Sequence, residues 1–129
     1  MRNYKDLLVW QKAHALTLDL YRVTETFRRK EMFGLTSQIR RAASSIGANL
    51  AEGCGRRSDG EMSRYVRISM GSASELDYHL VLTSDLKFIE KKEFAELDSK
   101  LSEVRRMLTG LLEKIDSEER PKVESVAKS

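Results

Sequence analysis

Glu75 and His79 stand one helical turn apart, a spacing that aims a carboxylate and an imidazole at one point and makes half of a metal site. The other half is missing. A di-iron helical bundle repeats Glu-x-x-His, but His14 follows Gln11 and His79 follows Leu76 at that spacing. Cys54 sits between Gly53 and Gly55 beside Arg56 and Arg57, an electropositive setting that favours a thiolate. No histidine lies near it in the sequence to take its proton, and a small residue filling a tight turn accounts for it equally well. The same run, Gly53 to Gly60, lacks the Lys-Ser/Thr of a nucleotide phosphate loop. Glu52, Glu75 and Asp77 are the carboxylates that paired acid-base chemistry would need; pairing with Arg40, Arg41 or Arg64 is their expected fate. The residues therefore predict no catalytic group, no metal and no cofactor.

What remains is a set of arginines, Arg40, Arg41, Arg56, Arg57, Arg64 and Arg67, gathered on one stretch of chain. A guanidinium grips phosphate through two parallel hydrogen bonds, and several together give salt-sensitive affinity for RNA or DNA. Tyr65 is the one aromatic residue among them, which points to backbone binding rather than sequence readout.

Helices must position these groups. Four are predicted, over about 6–28, 36–53, 58–86 and 91–117, with residues 118–129 polar, aperiodic and expected to be disordered. In the first, Trp10, Ala13, Leu16, Leu20, Val23 and Phe27 step by three or four, and Arg28-Arg29-Lys30 fall at the negative end of the helix dipole. In the second, Ile39, Ala42, Ala43, Ile46 and Leu50 share a face. Gly53 and Gly55 follow as stop signals in the left-handed conformation, and Ser58 with Glu61 forms a capping box for the third. The fourth carries Phe94, Leu97, Leu101, Val104, Leu108, Leu111 and Ile115 at nearly heptad spacing. Short connections make neighbours antiparallel. The expected fold is all-α, an up-down-up-down four-helix bundle over residues 1–117.

Two faces are odd for a lone bundle. Ser44, Ser45, Ala48 and Ala51 stand where a wet helix would carry Lys and Glu, while Ile68, Tyr78 and Leu82 widen the apolar arc of the third helix. Small residues let another backbone come close, so these seven positions are the candidate interface with further copies of the chain.

Composition agrees with such a bundle. The 129 residues hold one proline and a charged fraction of 33% beside 40% hydrophobic, which favours long amphipathic helices in one domain. One cysteine excludes an internal disulfide and fits the cytoplasm, and no apolar run approaches the ~20 residues of a membrane span. Residues 1–70 carry 13 Lys/Arg against 7 Asp/Glu and residues 71–129 carry 10 against 13, so the first part is +6 and the rest −3. A basic part of this kind meets either a polyanion or the acidic face of a partner.

The run Tyr4 to Leu16, the block Gln38-Ile39-Arg40-Arg41-Ala42-Ala43, Ser45-Ile46, Asn49 to Gly53, Gly55-Arg56, Ser58, Gly71-Ser72 and Glu75-Leu76 resemble a known family. It comprises the small four-helix-bundle proteins encoded by intervening sequences in bacterial 23S ribosomal RNA genes, and the likeness covers nearly all of residues 4 to 90. Gly47 departs from it, because the family commonly has proline there; either residue weakens a helix, and a bend is expected. The resemblance implies a homo-oligomer in the form of a pentameric ring. A more distant similarity is to the basic accessory proteins of diversity-generating retroelements, pentameric bundles that bind nucleic acid and a reverse transcriptase. From residues and resemblance together, the expected function is a non-enzymatic oligomer that binds structured RNA through its arginines. The alternative is a protein-interaction adaptor in which those arginines make inter-subunit or partner ion pairs.

Overall fold

The computed structural model describes residues 3–119. Its helices are α1 (Leu8–Thr24), α2 (Ser37–Cys54), α3 (Asp59–Asp85) and α4 (Lys91–Glu119), with no strand among the described residues. Each helix packs on the next and α1 closes the ring on α4, the arrangement of a four-helix bundle. The expected tail is described only at its first two residues, which continue α4; the rest of it lies outside the described residues.

The core is built largely from the residues that helical spacing names, with Val9, Leu35 and Ile89 added to them and Trp10, Val23, Phe27, Phe94 and Leu111 packed at its margin. Leu16 and Leu20 of α1, Ile39, Ile46 and Leu50 of α2, Val66, Leu76 and Leu80 of α3, and Leu101, Leu108 and Ile115 of α4 are all fully buried. Each such side chain contributes roughly 1.5–3 kcal/mol by leaving water. Small residues then set how close the helices come. Ala42, Ala43 and Ala73 are buried, Ser69 donates to the Ile46 carbonyl across α2 and α3 at 2.9 Å, and Thr17 donates to the Ala43 carbonyl across α1 and α2 at 3.2 Å.

Three local expectations need correction. First, α1 stops at Thr24 rather than Arg28: Phe27 N–H bonds to the Thr24 carbonyl in a turn, Arg28 is extended, and the Phe27 ring folds onto Phe88 with centroids 5.5 Å apart. The basic run Arg28–Lys30 therefore lies in the connection, and Arg40 reaches across to the last turn of α1 instead. Second, no glycine has a positive φ, so neither Gly53 nor Gly55 ends α2 as a left-handed residue. Gly53 is buried within the helix, where a Cβ would stand 2.9 Å from Met62 Sδ and 3.0 Å from Tyr65 Cβ. Third, the reason for Gly47 lies outside its own helix: α2 stays helical through it, and its missing side chain makes room for the Trp10 indole, since a Cβ there would meet Nε1 at 3.2 Å.

The left-handed stop occurs elsewhere, at Lys87 (φ 64°) after α3. Phe88 N–H bonds to the Thr83 carbonyl at 3.1 Å and Lys87 N–H to Ser84 at 2.9 Å, the hydrogen-bond pair of a Schellman turn. Ser58 caps α3 as predicted, its Oγ accepting from Glu61 N–H at 3.2 Å.

Candidate nucleic-acid interface

The six arginines divide between two ends of α2 and the flank of α3. Arg40 lies near its start, with a side chain only 18% exposed. Its Nε donates to Thr24 Oγ1 at 2.8 Å, Nη2 donates to the Tyr21 carbonyl at 3.2 Å and approaches Glu25 at 3.3 Å, and the guanidinium lies 4.6 Å over the Tyr21 ring. A cation held against the carbonyl end of α1 stabilises the helix dipole and fastens α2 to α1. Arg40 is thereby removed from the candidate phosphate-binding set.

Arg41 and Arg67 are also spoken for. Arg41 pairs with Glu75 and takes Gln38 Oε1 at 2.8 Å. His79 Nε2 sits 3.1 Å from the same Glu75 oxygen, so the half metal site of the sequence is filled by a guanidinium, and among the described residues no three metal-ligating side chains converge. Arg67 ties α3 to α4, reaching Asp116 at 3.1 Å and Ser63 Oγ at 2.8 Å, while Ser63 itself donates to Asp116 at 2.8 Å. Asp77 faces Arg105 at 3.7 Å and Glu52 faces Arg56, partners other than those expected; only Glu75 meets an arginine named for it.

Arg56, Arg57 and Arg64 remain, at the corner where α2 turns into α3. Arg56 bonds Glu52 one turn back, donates to the Tyr65 hydroxyl at 2.9 Å, and lies 5.1 Å from that ring; Arg64 lies 5.7 Å from the same ring. The Tyr65 oxygen first of all holds the Arg56 guanidinium above its ordinary value; desolvation pulls the other way, and Glu52 adds a smaller upward effect. A raised value means that its favourable contribution is present at every pH at which the unfolded chain keeps the proton and fades only in strong alkali. Arg57 and Arg64 make no ion pair among the described residues. Arg57 borders an open cavity of 240 Å³ with Gly53, Cys54, Ser58, Asp59 and Met62. Its character is that of a cationic corner, with the Arg56 and Arg64 guanidinium groups lying against the Tyr65 ring.

The chain belongs to the 23S rRNA-intervening sequence protein family, whose match spans residues 5–110. A solved structure from Bacteroides thetaiotaomicron, described as a protein with unknown function from the S23 ribosomal protein family, shares the fold with a TM-score of 0.78. It is 22% identical, and the match covers 84% of this chain and 98% of that one. No curated protein matches. Neither description names a reaction.

The candidate interface between copies is split as well. Ser44 and Ala48 are exposed and Ala51 half-buried, and they floor a groove of 340 Å³ between α1 and α2 that Tyr4, Trp10, His14, Thr17 and Tyr21 wall. Trp10 and His14 stack there with ring planes 9° apart. Ile68 and Tyr78 are exposed on α3, at 40% and 61%. Ser45 and Leu82 do not join them. Ser45 Oγ bonds Ser72 Oγ at 2.8 Å and accepts from Asn49 at 3.0 Å, and Leu82 packs against the core, so both are occupied within the chain. Sequence reasoning overlooked the aromatic wall, although the four-residue spacing of Trp10 and His14 placed them on one face.

Proposed function

We infer that the protein is a non-enzymatic oligomer, working in the cytoplasm, that binds structured RNA by its phosphate backbone at the corner between α2 and α3. The observation that carries the reading is the grouping of Arg56 and Arg64 around Tyr65 with Arg57 beside Arg56 at the same corner, Arg57 and Arg64 having no ion pair among the described residues. Guanidinium groups without a carboxylate partner are the ones a phosphate can recruit at no electrostatic loss. Family membership supports the class of ligand without naming it. The groove over Ser44 and Ala48 supports assembly into a homo-oligomer, for which the family resemblance suggests a pentameric ring. No helix of the described chain is long and apolar enough to cross a membrane.

A specific observation favours the adaptor as second reading. Arg40, Arg41 and Arg67 are engaged with side chains of their own chain, which leaves a small cationic area for a polyanion.

The test is a titration of a hairpin RNA at two salt concentrations. Reversing Arg56, Arg57 and Arg64 to Glu abolishes the affinity and flattens its salt slope, while Arg40→Ala lowers stability. No detectable binding by the wild type at low salt, or equal binding by the triple variant, overturns the RNA reading and leaves the adaptor.

A further inference from the structure

The connection between α1 and α2 carries the most exposed aromatic residue of the described chain. Phe33 is 94% exposed and its neighbour Met32 is 45% exposed, while Leu35 and Thr36 just after them are buried and anchor the segment. The backbone explains the eversion: Arg29–Glu31 forms a 3-10 turn, Met32–Thr36 a wide five-residue turn, and Gly34 at φ −106°, ψ −111° breaks helical geometry between Phe33 and Leu35. Just before Met32 and Phe33, with only Glu31 between, the run Arg28-Arg29-Lys30 is exposed throughout and makes no ion pair among the described residues. Glu31 is half-buried in the same segment, and Glu25 is engaged by Arg40.

The Phe27–Phe88 contact sets the turn between α3 and α4 beside this connection, which brings Lys87, Lys91 and Lys92 to the same end of the bundle. Asp85, Glu90 and Glu93 are there too and balance those lysines, so the surplus charge resides in the arginine run. An aromatic face in water next to consecutive unpaired cations is the complement of one kind of ligand. That ligand presents flat apolar faces and phosphates together. A folded duplex hides its base faces, and a lipid surface takes up a broader apolar face than Phe33 and Met32 supply.

We propose that Arg28, Arg29, Lys30 and Phe33 form a second nucleic-acid site, one that takes an unpaired strand by stacking a base on Phe33 and seating its phosphates on the three cations. It stands at the opposite end of α2 from the corner around Tyr65, roughly 27 Å away by the length of that helix. The proposal extends the RNA reading to unpaired strands, and the two sites fail separately.

The experiment measures anisotropy of a labelled oligouridylate and a labelled hairpin RNA with blunt ends and a tight tetraloop. The proteins are the full chain, Phe33→Ala, Phe33→Leu, Arg28→Glu with Arg29→Glu and Lys30→Glu, and the reversed corner variant. Phe33→Ala and Phe33→Leu each weaken the oligouridylate by roughly 5- to 100-fold at unchanged salt slope, because a leucine keeps the grease and loses the plate. The charge reversal lowers the magnitude of the slope by about 2, as expected for three phosphates on a single strand. The corner variant keeps its oligouridylate affinity and loses the hairpin. Circular dichroism keeps the reading tied to binding, and Phe33 is too exposed for its loss to unfold the chain.

Four outcomes overturn the site: no oligouridylate binding by the wild type, full affinity in Phe33→Ala, full affinity in Phe33→Leu, or loss of oligouridylate binding in the corner variant alone. A Phe33→Ala protein that binds the strand normally but sheds anionic vesicles, or sediments at lower mass, assigns the ring to a membrane or to a second copy instead.

Discussion

Helix α2 shows the same small residues used in two ways on its two flanks. Toward α3 they close the structure: Ser45 meets Ser72, the Ile46 carbonyl meets Ser69, and Gly53 lies under Met62 and Tyr65. Toward the outer edge of α1 they leave it open, with Ser44 and Ala48 exposed beneath the Trp10 and His14 rings. Gly47 marks the border, against the Trp10 indole. A small side chain permits close approach, and only the rest of the structure decides whether the approaching surface comes from the same chain. That contrast ranks the effects of substitution.

The largest is Gly53→Val. Its first side-chain atom would fall inside the contact distances to Met62 and Tyr65, so a loss of about 2–3 kcal/mol in urea unfolding is expected. A loss below roughly 0.5 kcal/mol would mean that the α2–α3 flank is less tightly closed than its distances indicate. Next comes Ser72→Ala, which leaves the Ser45 hydroxyl with one partner fewer and costs about 1 kcal/mol by the same measurement.

Gly47→Ala sits near zero, within roughly 0.5 kcal/mol. The helix gains about 1 kcal/mol from alanine, and the Trp10 ring must give way by a few tenths of an ångström from 3.2 Å. A strongly destabilised variant would show that the ring cannot move, and so that the groove wall is rigid. Smallest in stability is Ala48→Glu, a change on an exposed helical position expected within about 0.5 kcal/mol.

Much of the bundle was legible because four stretches repeat their apolar residues at helical spacing, and most of the buried leucines and isoleucines of the helices are ones that spacing named; Leu35 and Ile89, buried in the connections, are not. Ser58 was readable for the same reason that capping is local: its oxygen meets an N–H three residues on. The glycines were not. Gly47 and Gly53 are explained by Trp10 and by Met62 with Tyr65, residues distant in sequence, and the stop signal read at Gly53 misled. The end of α1 was hidden likewise, because Phe27 keeps the helix period while its ring is drawn to Phe88.

The arginines divided for a related reason. A sequence shows that Arg40 is charged and near other arginines; it does not show that Thr24, Tyr21 and Glu25 wait at the end of another helix to receive it. Arg56 and Arg64 were readable as a pair around Tyr65 only to the extent that eight residues across a tight turn can be placed. Phe33 had a signal, an aromatic residue beside a glycine between the first two predicted helices, but nothing local shows that its ring faces water.

Solution mass, measured by sedimentation equilibrium on the full chain and on Ala48→Glu, tests the division of α2 most directly. The account predicts a wild type of several copies and a variant of lower mass with unchanged helicity. A wild type that sediments as a single chain, or a variant of undiminished mass, would contradict it and return Ser44, Ala48 and Ala51 to plain solvent-facing surface.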